Sequence, residues 1–172
     1  NIEAEQSILG AILIENTALY KAIELIGIND FYKEAHKKIF LSMIELNEKN
    51  EAIDLVTLTE YLRKNNELDS VGGATYLSLL ANTIPTAANI KYHSKIVYEK
   101  ALLRNLINTA TEIVSYGYEN SRDIEELLDY AENAIFSISE KKIKPSFSAI
   151  KDIIKDSFET IERLSEKKER VT

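Results

Sequence analysis

From Asn89 to Tyr118 the chain reads NIKYHSKIVYEKALLRNLINTATEIVSYGY, without a proline and with one glycine, Gly117, at its far end. A single helix of about 45 Å is predicted there at ~1.5 Å per residue, well above the usual helix length. Leu103, Leu106, Ile107, Ala110, Ile113 and Val114 fall three and four residues apart and form one apolar stripe. Further apolar groups, Ile90, Tyr92, Ile96, Val97, Tyr98 and Leu102, lie off that stripe and call for a second contact face. Two readings of that face stand together: packing on a partner, and packing of the helix's first half on the rest of the chain. After the turn YENS, Ser121 is placed to cap a second helix that opens on Asp123, Glu125 and Glu126 and shows Ile124, Leu127, Leu128, Ala131, Ile135 and Ile138. The pair makes an αα-hairpin, which by itself buries too little to be stable and so needs a surface to lie against.

The segment before the hairpin predicts several shorter helices. Asn1 is placed to cap the first, with Glu3 and Glu5 at the positive end of its dipole. Ala4, Ile8, Ala11 and Ile12 point inward there, and Leu9 and Leu13 widen the stripe enough to put this helix near the middle of a core. Thr17 is expected to cap a second helix carrying Leu19, Ala22, Ile23 and Ile26, with Gly27 as its stop. A third follows INDFY with Ile39, Phe40, Met43 and Ile44 inward. A fourth, burying Leu58, Tyr61 and Leu62, is expected to start at a capping box, Thr57 to Glu60. Gly72 and Gly73 form a positive-φ turn before a short helix with Tyr76, Leu77 and Leu80, which Pro85 ends.

Beyond the hairpin, SEKKIKP reads as a basic linker to a last amphipathic helix. Its apolar line runs through Phe147, Ile150, Ile154, Phe158, Ile161 and Leu164. The fold class is therefore all-α, divided into a globular bundle (1–86), a helical hairpin (87–138), a linker (139–146) and a separate helix (147–172).

The formal charge of −7 is uneven: residues 139–172 hold 9 of the 21 basic and 7 of the 28 acidic side chains, leaving the body strongly acidic. Such a body repels a phosphate backbone, so weak or no DNA binding is expected, and a basic recognition helix is missing. No run is long and apolar enough to cross a membrane. Five glycines, at 10, 27, 72, 73 and 117, begin no phosphate-cradling loop. His36 and His93 sit in no metal-binding spacing; His36, beside Lys37 and Lys38, reads as a surface or half-buried structural residue and His93 as a packing one. Without cysteine there is no thiolate nucleophile, and no serine has a histidine partner that the sequence supports. No catalytic, cofactor-binding or metal-ligating residue emerges.

The ordered words NIEAEQSILGAIL, DFYKEAHKKIF, IDLVTLTEYL, VGGATYLSLL, IPTAANIKYHSKIV, EKALLRNLI and LLDYAENAIFSIS resemble the N-terminal region of the bacterial replicative DNA helicase, the DnaB family. The resemblance spans essentially the whole chain. It implies a collar that builds dimers into a hexamer with possible threefold symmetry, through hairpin contacts at Leu103, Leu106, Ile107, Ala110, Ile113, Val114, Leu127, Leu128 and Ile135. It implies docking of the primase C-terminal domain at Glu3, Tyr76, Ile107 and Ile113, although Ile107 and Ile113 also suit packing inside the hairpin. The last helix would dock through Ile150, Ile154, Phe158, Ile161 and Leu164 on a neighbouring subunit's motor domain, and a helicase loader is a further partner of such rings. ATP and Mg2+ would belong to that motor, which unwinds DNA 5′→3′ in the cytoplasm; no cofactor is expected on these residues. The sequence lacks an initiator methionine and stops before a motor would begin, so a piece of a longer protein is expected. The alternative is a stand-alone helical adaptor that recruits primase without a motor.

Overall fold

The structure is a computed structural model that describes residues 1–119 and 123–141. Ser121, linker residues 142–146 and the helix expected over 147–172, with Ile150, Ile154, Phe158, Ile161 and Leu164, lie outside the described residues. Within them the chain is all-helical: α1 (Ile2–Ile14), α2 (Ala18–Ile23), α3 (Glu34–Glu48), α4 (Leu55–Lys64), α5 (Gly73–Ala81), α6 (Ile90–Tyr118) and α7 (Ile124–Lys141). Three-ten turns at Ile28–Asp30 and Asp69–Val71 lead into α3 and α5.

α1 starts as its sequence dictates, with the Asn1 side chain accepting the Ala4 N–H at 3.0 Å. Its residues from Ser7 to Ile12 are all buried, the mark of a helix enclosed on every side. α3, α5 and α6 surround it. Gly10 is where α5 comes closest: a methyl there would sit under 3.0 Å from the Leu80 carbonyl oxygen. Ile39, Phe40, Met43 and Leu46 of α3, Leu58 and Leu62 of α4, and Leu77 and Leu80 of α5 complete the core.

α6 belongs to two environments. Ile90, Ser94, Val97 and Ala101 are buried against the bundle, so the first half of the long helix does pack on the chain's own core. Past Ala101 no residue of α6 is buried, and this half pairs with α7. Tyr130 donates to Glu112 at 2.9 Å and meets Tyr116 edge-on with ring centroids 4.9 Å apart. A methyl on Gly117 would lie in ordinary contact with Leu127.

Several local signals act differently from expectation. Thr17 has helical backbone angles and makes no cap; its hydroxyl goes to the Glu15 carboxylate instead. Gly27 does not stop α2, which ends at Ile23; with φ −110° it begins the next turn, its N–H held by Asp30 at 2.7 Å. Ile23 is exposed, while Ile26 is buried beyond the helix end. The capping box sits three residues earlier than Thr57–Glu60: Asp54 accepts from the Val56 and Thr57 N–H groups, and Thr57 accepts from the Asp54 N–H. Thr57 is thus the third helical residue, and Glu60 pairs with Arg63. The Gly72–Gly73 turn has φ of 99° and 72°, as its sequence requires.

Candidate partner-docking surfaces

The projecting half of the hairpin leaves large apolar groups in solvent. Leu103, Ile107 and Val114 are 48%, 55% and 57% exposed, and Leu128 of α7 is 58% exposed. At ~100° per residue, Leu103, Ile107, Ala110 and Val114 share an arc of about 60°. Leu106, 43% exposed, flanks it. On α7, Leu128 and Ile135 lie two turns apart and both face out, whereas Leu127 turns to Gly117. Ile113 is half-buried and lies about 60° beyond the nearer edge of the exposed arc, on the side of Thr109 and Tyr116. The expected stripe thus divides: Ile107 is exposed, Ile113 is half-buried, and Leu127 lies against Gly117.

Glu3 and Tyr76 lie elsewhere, at the first turn of α1 and on α5. Glu3 is exposed; Tyr76 is half-buried, and its hydroxyl is 3.1 Å from Gln6 Nε2, one turn after Glu3. Neither Glu3 nor Tyr76 meets Ile107 or Ile113 in any described contact.

Behind Tyr76 lies a network that sequence reading missed. His36 is fully buried, not a surface residue, with Nδ1 2.6 Å from Glu5 Oε2 and Nε2 2.7 Å from the Tyr76 hydroxyl. Glu5, 1% exposed, also accepts the N–H groups of Tyr32 at 2.8 Å and Lys33 at 3.4 Å. A carboxylate only accepts, so Nδ1 carries the proton toward Glu5; with His36 as a neutral imidazole the Tyr76 hydroxyl donates to Nε2 and accepts from Gln6. The Glu5 carboxylate, both His36 ring nitrogens and the Tyr76 hydroxyl all have partners in this arrangement. Burial pushes the Glu5 carboxyl up, but hydrogen bonds from His36, Tyr32 and Lys33 outweigh it and hold the group below its ordinary 4.5. Glu5 therefore builds the interior more than it complements a helix dipole.

On the outer side of the same loop, Arg104 of α6 donates from Nη2 to the Asp30 carbonyl oxygen at 2.6 Å, and its guanidinium lies 5.5 Å from the centre of the Tyr32 ring. In the hairpin, the hydrogen bond to the Glu112 carboxylate, more than burial, pushes the Tyr130 hydroxyl up to about 12. Among the described residues no group of three histidine, aspartate or glutamate side chains is arranged to hold a metal. No described helix is long and apolar enough to cross a membrane.

The geometry defines an all-α protein of bundle-and-hairpin form whose long helix begins inside the core. Comparison with known proteins gives the family. The family model for the DnaB-like helicase N-terminal domain matches residues 1–99. Over all 172 residues the chain is 44% identical to the replicative DNA helicase DnaC of Bacillus subtilis (strain 168) and 42% identical to the replicative DNA helicase DnaB of Geobacillus stearothermophilus. It spans 38% of the length of each. The crystal structure of the N-terminal domain of DnaB helicase from Mycobacterium tuberculosis superimposes with a TM-score of 0.76 at 38% identity, covering 80% of this chain and 96% of that one. A DnaB-like replicative helicase, solved in a study of its interactions with primase, shares the fold at a TM-score of 0.64 and 24% identity, covering 90% of this chain and 35% of that one. The chain belongs to the DnaB-like helicase N-terminal domain family.

Proposed function

We propose that this chain is the collar of a hexameric, ATP-driven replicative DNA helicase, joining subunits through its hairpin and offering primase a docking face. The observation that carries this reading is the apolar line along Leu103, Ile107 and Val114, left in solvent on a helix whose first half is already packed in the bundle. Large apolar groups gathered on one face mark an interaction surface more often than a solvated one. A second copy covering this line would bury it, with Leu128 and Ile135 adding to the same contact from α7. The bundle (1–86), with Glu3 and Tyr76, supplies the primase face. Residues 139–172 would lead to the motor domain that holds ATP and Mg2+. The whole protein would act in the cytoplasm, with the acidic collar letting single-stranded DNA pass without gripping it.

Sedimentation equilibrium tests the hairpin contact. Ile107→Asp and Val114→Asp should weaken self-association at least tenfold, a change of about 1.4 kcal/mol, while leaving the melting temperature near that of the parent chain. Ile113→Asp, at a half-buried position, should lower the melting temperature instead. If both surface variants associate like the parent, the hairpin contact is wrong.

A further inference from the structure

Between Tyr76 on the bundle and Arg104 on the hairpin helix, polar contacts run through one short loop. The Tyr76 hydroxyl meets His36, His36 meets Glu5, and Glu5 holds the loop at the Tyr32 and Lys33 N–H groups. From the other side Arg104 holds the same loop at the Asp30 carbonyl oxygen and over the Tyr32 ring. The loop is also held from within. Asp30 closes it on the Gly27 N–H at 2.7 Å, and Phe31, 1% exposed, anchors it with its ring 4.8 Å from that of Phe40.

The position of Arg104 gives this arrangement leverage. Ala101 is the last buried residue of α6, and Arg104 follows one turn on, where the helix leaves the bundle. The arm from Arg104 to Tyr118 is about 21 Å long at ~1.5 Å per residue, so a small displacement of the loop is magnified at its tip. The inner grip is made by an ionised carboxylate out of water, where hydrogen bonds are strong and losing one partner is costly.

We propose that the 27–33 loop transmits the state of the Tyr76 face to the hairpin, with His36 and Arg104 as positioning residues at its two ends. A partner that takes the Tyr76 hydroxyl away from His36 would loosen the loop and thereby reset the hairpin's angle. Regulation by such a partner rests on the docking reading above; the transmission itself is tested on the chain alone.

The chain has no cysteine, so two can be introduced for nitroxide labels, Lys64→Cys on α4 and Tyr118→Cys at the exposed end of α6. Pulsed electron paramagnetic resonance with excess unlabelled chain then reads the distance between bundle and hairpin end within one molecule. Tyr76→Phe removes only a hydroxyl, and it should widen the distance distribution to match that of Arg104→Ala. Arg104→Lys, which keeps a cationic donor, should recover most of the parent distribution. Combining Tyr76→Phe with Arg104→Ala should add no width beyond Arg104→Ala alone. A parent-like distribution in Tyr76→Phe, or additive widening in the double variant, overturns the proposal. Neither result depends on self-association or primase binding, so failure of the docking reading is separately visible.

Discussion

Replacing Gly10 by alanine sets two well-known effects against each other at one site. In an ordinary helix interior the change stabilises by about 1 kcal/mol, because alanine has less backbone freedom to lose. In α1 the added methyl would lie under 3.0 Å from the Leu80 carbonyl oxygen and 3.6 Å from Ile84 Cγ1. The obstacle is backbone, so no rotamer change relieves it and α5 must move back as a unit. That oxygen also accepts the Thr83 N–H at 3.1 Å, a bond the retreat would disturb. Overpacking of this kind costs ~1–3 kcal/mol. Because the obstacle is backbone, the cost should lie toward the upper end of that range and leave a net loss of about 1–2 kcal/mol after the helix gain. At ~2–4 °C per kcal/mol for a domain of this size, melting should fall by roughly 2–8 °C. Gly117→Ala is the internal control: there the methyl meets only Leu127, at 3.8 Å. It should raise the melting temperature. Thermal unfolding followed by helical circular dichroism compares the two, and a rise for Gly10→Ala equal to that for Gly117→Ala would refute the close-approach account.

Two other predictions follow from the buried carboxylate and the relocated cap. Glu5→Gln should cost about 2 kcal/mol at neutral pH, the value of a hydrogen-bonded charge lost from the interior, measured by chemical denaturation. The folded Glu5 carboxyl titrates below 4.5, so its stabilisation is complete above that value and drains away as pH falls through the folded one; the variant should lose that part of the acid dependence. Asp54→Ala should cost ~1 kcal/mol as a lost helix cap, whereas Glu60→Ala should stay within about 0.5 kcal/mol; equal costs would contradict the observed cap.

Periodicity made the helices legible, since it reports which face of a segment is apolar. The wide stripe of α1 and the unbroken run of α6 both translate directly into their observed settings. What periodicity does not encode is the partner across the interface. Glu5, His36 and Tyr76 are 31 and 40 residues apart in the chain, and nothing local to each shows that they meet. Lys37 and Lys38 beside His36 suggest a surface or half-buried place, yet on a helix its neighbours in sequence point to other faces. The candidate docking stripe was legible as a set of residues. Its division between Ile107, exposed, and Ile113, half-buried, is a matter of tertiary packing that spacing does not carry. The misplaced capping box has a local cause: Asp54 competes with Thr57 for the same role, and its carboxylate satisfies two N–H groups at once.

The continuity of α6 from core to tip has a mechanical and kinetic consequence. Starting a helix is the unfavourable step, while lengthening one already begun is nearly free of that penalty. Because Ile90, Val97 and Ala101 fix the opening turns inside the bundle, the outer turns are extensions of a preformed template. The chain can therefore hold a cantilever of greasy side chains already wound in water, and any partner that meets that arm need not wait for it to form.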